Sequence, residues 1–215
     1  MPRDLNIPNL QQLKQTDAFV QGQVNYQRYP LYYILDLPAS STATEMTFFG
    51  ASEGGSVVVG STTINMTAER TNMTKAGSLP SPFSFWLTNI RLVVMPEVDA
   101  TSKFSSNGLD DVYKFLSKGY AILTIGQKEV QKIAPLWLIS SGCGISLDGT
   151  TGDSSLTKVL LTNRHPLLYK IDPPIHIKSD VNFLFKIKWD SAPTPTSLIR
   201  VAVVFDGYMI GLAQV

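Results

Sequence analysis

The stretch VNFLFKIKW, residues 181–189, decides the fold class. Val181, Phe183, Phe185, Ile187 and Trp189 take alternate positions, with Asn182, Lys186 and Lys188 between them. Side chains alternate between faces along a strand, so this spacing predicts a strand that buries one face. The segment LIRVAVVFD at 198–206 repeats the pattern, with Ile199, Val201, Val203 and Phe205 inward and Arg200 and Asp206 outward. Upstream, IHIK adds Ile175 and Ile177, and APTPT at 192–196 reads as a turn. The three segments predict consecutive antiparallel strands.

Outward from this core the same signals recur. LYYILDL (31–37), ATEMTFF (43–49), VVVGSTTINMT (57–67), PFSFWLTNIRLVV (82–94), YAILTIG (120–126), IAPLWLI (133–139) and KVLLT (158–162) are β-branched or aromatic runs between Gly, Ser, Pro and Asp. Roughly ten strands result, and the class is all-β. In the 82–94 run the apolar parity changes near Trp86, from Phe83 and Phe85 to Ile90, Leu92 and Val94, which predicts a bulge or a bend between sheets. One segment breaks the pattern. SSNGLDDVYKFLSKG (105–119) places Leu109, Val112 and Leu116 on one helical face, with Asn107 as cap, Asp110 and Asp111 in the first turn and Gly119 after the end. It predicts a short helix over 108–118.

Residues 1–30 are polar and Gln-rich, with Leu10 and Leu13 at helical spacing after Asn9, and read as an arm or anchoring helix ahead of one domain over 31–215. At 215 residues a single all-β domain is the expected unit. Hydrophobic residues make up 44% of the chain and charged residues 16%, below the roughly 25% usual in soluble domains. Neighbouring subunits would cover such a surface. The net charge of +1 and the scattered Lys and Arg leave no footprint for nucleic acid or an anionic membrane. With Cys143 as the one cysteine, no internal disulfide can form. The opening MPRDLNIPNLQQLKQ lacks the pattern of a secretory signal, and no run of 18 apolar residues occurs, so folding in a cytoplasm is expected.

Catalytic signals are sparse. His165 and His176 are the only histidines available as bases for a nucleophile. His176 sits at an outward position of IHIK, and His165, before Pro166, reads as part of a turn. Asp148 and Asp153 in LDGTTGD are the nearest candidates for a calcium loop. That loop lacks the regular alternate ligands and closing Glu of a helix-loop-helix site and resembles a hairpin connector. Glu97 and Asp99 in PEVDA are equally ordinary. GASEGGS (50–56) has no following helix to aim amides at a phosphate. The sequons at Asn65 and Asn72 matter only in a secreted protein. No catalytic residue, cofactor or metal is assigned, and the chain is expected not to be an enzyme. Trp86, Trp137 and Trp189 lie in expected strands and read as core, whereas Tyr26, Tyr29, Tyr32 and Tyr33 suggest a subunit interface.

Taken in order, TEMTFFGA, TNMTKAGSLPSPFSFWLTNIRLVV, the short helix, GYAILTIGQKEVQKIAPLWLISSGCG, HPLLYKIDPPIHIKSDVNFLFKIKW and VAVVFDGYMIGL resemble the jelly-roll major capsid proteins of icosahedral bacteriophages and related viruses, whose barrels stand upright in the shell. The resemblance covers residues 40–213 or so. It implies two facing four-stranded antiparallel sheets, a structural virion protein assembling with copies of itself, and a shell built around or beside a membrane. The strand count fits one jelly roll per chain, so the capsomer would hold more copies or a second capsid protein. Residues 1–30 hold Arg3, Lys14 and Arg28 against Asp4 and Asp17, so specific nucleic-acid binding is not expected. The competing reading is a carbohydrate- or receptor-binding sandwich, such as a virion spike or lectin-like module.

Overall fold

The computed structural model describes residues 24–96, 108–133, 135–139, 144–147, 159–162 and 169–212. The strands are β1 (Val24–Arg28), β2 (Leu31–Leu37), β3 (Glu45–Phe48), β4 (Ser56–Val59), β5 (Thr62–Asn65), β6 (Ser84–Pro96), β7 (Gly119–Ile125), β8 (Lys128–Ile133), β9 (Gly144–Leu147), β10 (Val159–Thr162), β11 (Tyr169–Ile177), β12 (Phe183–Trp189) and β13 (Ile199–Leu212). The helix α1 spans Gly108–Lys118, within the predicted bounds.

The chain is all-β with antiparallel sheets. One sheet runs β2–β13–β6–β11, and β1 continues the β2 edge along the second half of β13. The other runs β3–β12–β7–β8, while β4–β5 and β9–β10 form two-stranded ribbons. The two four-stranded layers bury their apolar faces against each other. Phe205 of β13 packs against Phe183 and Phe185 of β12, with ring centroids 6.2 and 5.9 Å apart, and Tyr33 of β2 meets Phe48 of β3 at 6.2 Å. The alternation along 181–189 therefore has its predicted consequence: Phe183, Phe185, Ile187 and Trp189 are buried. The three segments are consecutive strands of antiparallel sheets, but they do not lie side by side. β11 and β13 share one sheet, but β12 lies in the other, between β3 and β7. Alternation reports which face is apolar and not which strand lies alongside.

The parity change in the 82–94 run is a bulge. Asn89 pairs with Asp206 and Leu87 with Gly207, so Thr88 is the extra residue, and its hydroxyl donates to the Asp206 carbonyl at 2.9 Å. The strand stays in one sheet, with Phe85 and Leu87 inward before the bulge and Ile90, Leu92 and Val94 after it. Gly207 sits opposite the bulge, where an added Cβ would run into the Trp86 carbonyl oxygen and stand 2.7 Å from the Phe85 ring. Backbone cannot yield as a flexible side chain can. Gly207→Ala is expected to destabilise the domain by about 1–3 kcal/mol, read as a lower urea midpoint with an unchanged slope.

Phe48 and Phe49 are both fully buried in the core between the layers, although alternation along a strand would send adjacent side chains to opposite faces. Phe49 resolves the conflict with a left-handed backbone, φ 66°, which turns its ring back inward to lie 4.6 Å from Phe205. A bulky residue adopts that conformation only where packing over-determines it.

Two further expectations are corrected. VVVGSTTINMT is the β4–β5 hairpin, turning at Gly60 with φ 60°. IAPLWLI is not a strand: β8 ends at Ile133, and Leu136–Leu138 form a single 3-10 turn after Pro135, which has no N–H to continue a ladder. β1 lies inside the stretch read as an arm. Asn107, the expected helix cap, lies outside the described residues.

Candidate functional site

The carboxylates Asp36, Glu45 and Asp206 are committed to structural ion pairs. Asp36 on the outer face of β2 receives Arg70 at 2.7 Å and Arg200 at 2.9 Å. Burial raises its pKa, but the bonds and charges of Arg200 and Arg70 outweigh this and leave it lowered. Asp206 accepts from Arg91 at 2.8 Å across the bulge. Glu45 bridges Lys186 and Lys188 at 2.7 and 3.1 Å on the outer face of the second sheet. Among the described residues no three His, Cys, Asp or Glu side chains gather where they could hold a metal ion.

Asp111 is the group sequence reasoning missed. Read as a first-turn charge, its side chain is fully buried, and Oδ2 accepts four hydrogen bonds, from the Thr196 N–H (3.0 Å) and hydroxyl (2.8 Å) and the Ser197 N–H and hydroxyl (both 2.9 Å). It clamps α1 to the start of β13. Phe115 of α1 is fully buried as well, and Val112 and Leu116 of the predicted face are half-buried against the core, while the Leu109 side chain lies outside those described. The signal available was the distant Thr196-Ser197 pair, four donors in need of one acceptor, which only the fold brings to Asp111.

His176 does face outward, as predicted, but its ring stacks on Trp86 at 4.8 Å and 13° between planes. His165, Cys143, Asp148, Asp153, Glu97 and Asp99 lie outside the described residues. The glycine-rich stretch 50–56 is a tied loop, with the amides of Glu53 and Gly54 bonded to the Met73 and Met66 carbonyls. Asn72 of the second sequon is occupied, accepting from the Tyr32 N–H at 3.0 Å and donating to the Pro30 carbonyl at 2.7 Å. Of the tyrosines, Tyr33 is core, its hydroxyl accepting from the Ala51 N–H, and Tyr29 and Tyr32 are half-buried.

The two ends of the sandwich differ. At one end, α1 and the 3-10 turn close the layers: Phe115 meets Trp189 edge-on at 5.0 Å, and the Trp189 indole N–H donates to the Phe115 carbonyl. Gly119, expected only as a helix stop, begins β7 here. A Cβ on it would stand 2.5 Å from Leu136 Cδ1 and 2.6 Å from the Trp189 indole nitrogen, so its lack of a side chain seats the turn. The same turn leaves Trp137 59% and Leu138 46% exposed, and Tyr113 of α1 is 70% exposed. Trp137 is thus neither in a strand nor in the core, which corrects the expectation. At the opposite end, beside Leu31 of β2 and Met209 of β13, the loop 72–83 bounds an apolar pocket of about 240 Å³. A second, polar depression over residues 38–44 and 60–61 is walled by Pro, Ala, Ser, Thr and Gly, with no ionisable side chain.

No protein-family model and no curated protein sequence matches this chain. What it offers chemically is two faces and two ends: paired outer charges, exposed aromatic and aliphatic side chains at the closed end, and a cavity at the open one.

Proposed function

We propose that the chain is a structural virion protein without enzymatic activity, a capsid subunit folded as a single jelly roll and self-assembling into the icosahedral shell of a virus, in keeping with the resemblance to bacteriophage coat proteins. The strand order is the observation that carries this reading. Counting β2, β3, β6, β7, β8, β11, β12 and β13 as eight strands, the first sheet holds the first, eighth, third and sixth and the second holds the second, seventh, fourth and fifth. A jelly roll wound from two Greek keys distributes its strands between layers in this way. On this reading the partners are other copies of the chain, alone or with a second capsid protein, in a shell built around or beside a membrane, with no specific nucleic-acid binding; the subunit is made in the host cytoplasm and resides in the virion. Among the described residues no helix is long and apolar enough to cross a membrane.

Self-assembly also gives a role to apolar side chains left in water, since exposed apolar patches mark contact sites. Electron microscopy and sedimentation of the purified chain are expected to reveal capsomers or shells; a monomer persisting at high concentration overturns the reading. The double substitution Trp137→Glu, Leu138→Glu is expected to raise the monomer fraction in sedimentation while lowering the thermal midpoint far less than a core truncation does, because about half of each side chain already lies in solvent in the monomer.

The exposed Trp137 and Tyr113 rings favour a second reading, a carbohydrate- or receptor-binding module, because flat aromatic faces stack on sugar rings. A glycan array separates the two: selective glycan capture by a dispersed monomer supports the module.

A further inference from the structure

We propose that the pocket at the open end of the sandwich is a binding site for a small aromatic molecule of one ring, or of two fused rings no larger than indole, that carries one polar atom. The pocket, of about 240 Å³, opens to solvent at Phe83 and Gln27 and is preformed, because backbone and side-chain hydrogen bonds hold its walls apart. These walls are held. The loop that bounds it is tied at Asn72 to Tyr32 and Pro30, at Gly77 to the Phe49 carbonyl and the Phe183 N–H, and at Leu79 to the Asp180 N–H. Leu31, Met73 and Leu79 on the inner wall belong to the main core and are nearly inaccessible. Preformed apolar cavities with a few polar groups are the usual form of small-molecule sites, and the mouth of a barrel is a usual place.

Size and lining then name the ligand class. A cavity of about 150 Å³ accepts benzene, so this one accommodates a substituted ring and not a large cofactor. Its sides carry the rings of Tyr29 and Phe83 and the thioethers of Met73 and Met209, groups that gain from contact with another π system. Phe83 is 42% exposed at the mouth, its ring lying against Gly211, where an added Cβ would meet it at 2.6 Å. One polar atom suffices because the lining offers one buried polar residue, Ser78; the Asn72 amide is spent on the loop. Gln27, exposed on β1, stands at the rim.

The site goes beyond the assembly reading and does not depend on it. The test titrates the full chain, labelled with 13C at the methionine methyl groups, with 4-methylphenol, indole and, as an alkyl control, hexan-1-ol. Methionine methyl spectra remain readable in large assemblies. Saturable shifts are expected at Met73 and Met209, which line the pocket, and none at Met46 and Met66, which are buried elsewhere in the core. Gln27→Trp, which fills the mouth from an exposed strand position, and Phe83→Ala, which removes an exposed wall, are each expected to weaken aromatic binding by about tenfold. Absent or non-saturating shifts, shifts spread evenly over Met46, Met66, Met73 and Met209, or affinities unchanged in both variants overturn the site. Binding of hexan-1-ol as tight as that of the aromatic probes overturns the ligand class.

Discussion

Phe205→Ala is expected to remove about 3–5 kcal/mol of unfolding free energy, enough to unfold a large fraction of a domain whose total stability is of order 5–15 kcal/mol. Phe205 is the ring through which the layers meet: it lies 4.6 Å from Phe49, 6.2 Å from Phe183 and 5.9 Å from Phe185, and it is fully buried. Truncation leaves a cavity that three rings on two connected elements cannot close together. Phe49 cannot follow without giving up the left-handed backbone that its packing sustains. Urea unfolding of the wild type, Phe205→Leu and Phe205→Ala checks this. The leucine variant should retain most of the stability, because it refills most of the volume, and an alanine variant within 1 kcal/mol or so of the wild type would show that the layers close without this ring.

The second large effect belongs to Asp111. Asp111→Ala is expected to cost about 3 kcal/mol, because four donors on Thr196 and Ser197, two of them backbone amides, lose a charged acceptor in a buried clamp. The effect is pH-dependent with a definite sign. Burial alone would raise the Asp111 pKa, but the hydrogen bonds from Thr196 and Ser197 outweigh it and hold the carboxyl below its ordinary 3.8. A carboxyl whose folded pKa is depressed contributes stability in full above its unfolded pKa and loses it as pH falls through the folded value. The difference in denaturation midpoint between wild type and Asp111→Ala should therefore be constant from neutral pH to about pH 5 and shrink steadily below about pH 4. A gap that stays constant down to pH 2 would mean that Asp111 acts by shape and not as an anion.

Much of the architecture was legible from residue order because strand burial is a local rule. Alternation marked the inner faces of β12 and β13, the parity change near Trp86 marked the Thr88 bulge, and the first-turn aspartates and Gly119 bounded α1. Local rules failed where the backbone left the strand. Phe49 is buried by a positive φ, Pro135 converts an apolar run into a 3-10 turn with Trp137 outside, and Gly60 folds one expected strand into two. None of these changes the composition of its segment, so none has a periodic signature.

What the sequence determined by itself is the class of structure, all-β with short apolar-faced strands, since each strand must hide one face and its own residues say which. Only the tertiary structure decided where those strands lie: that β12 crosses to the opposite layer from β11 and β13, that Asp111 meets Thr196 and Ser197, and that Tyr29, Met73, Phe83 and Met209 surround one cavity. Each joins residues far apart in the chain, and their meeting depends on how two sheets close over a shared core, a collective property of all the strands that no single segment encodes.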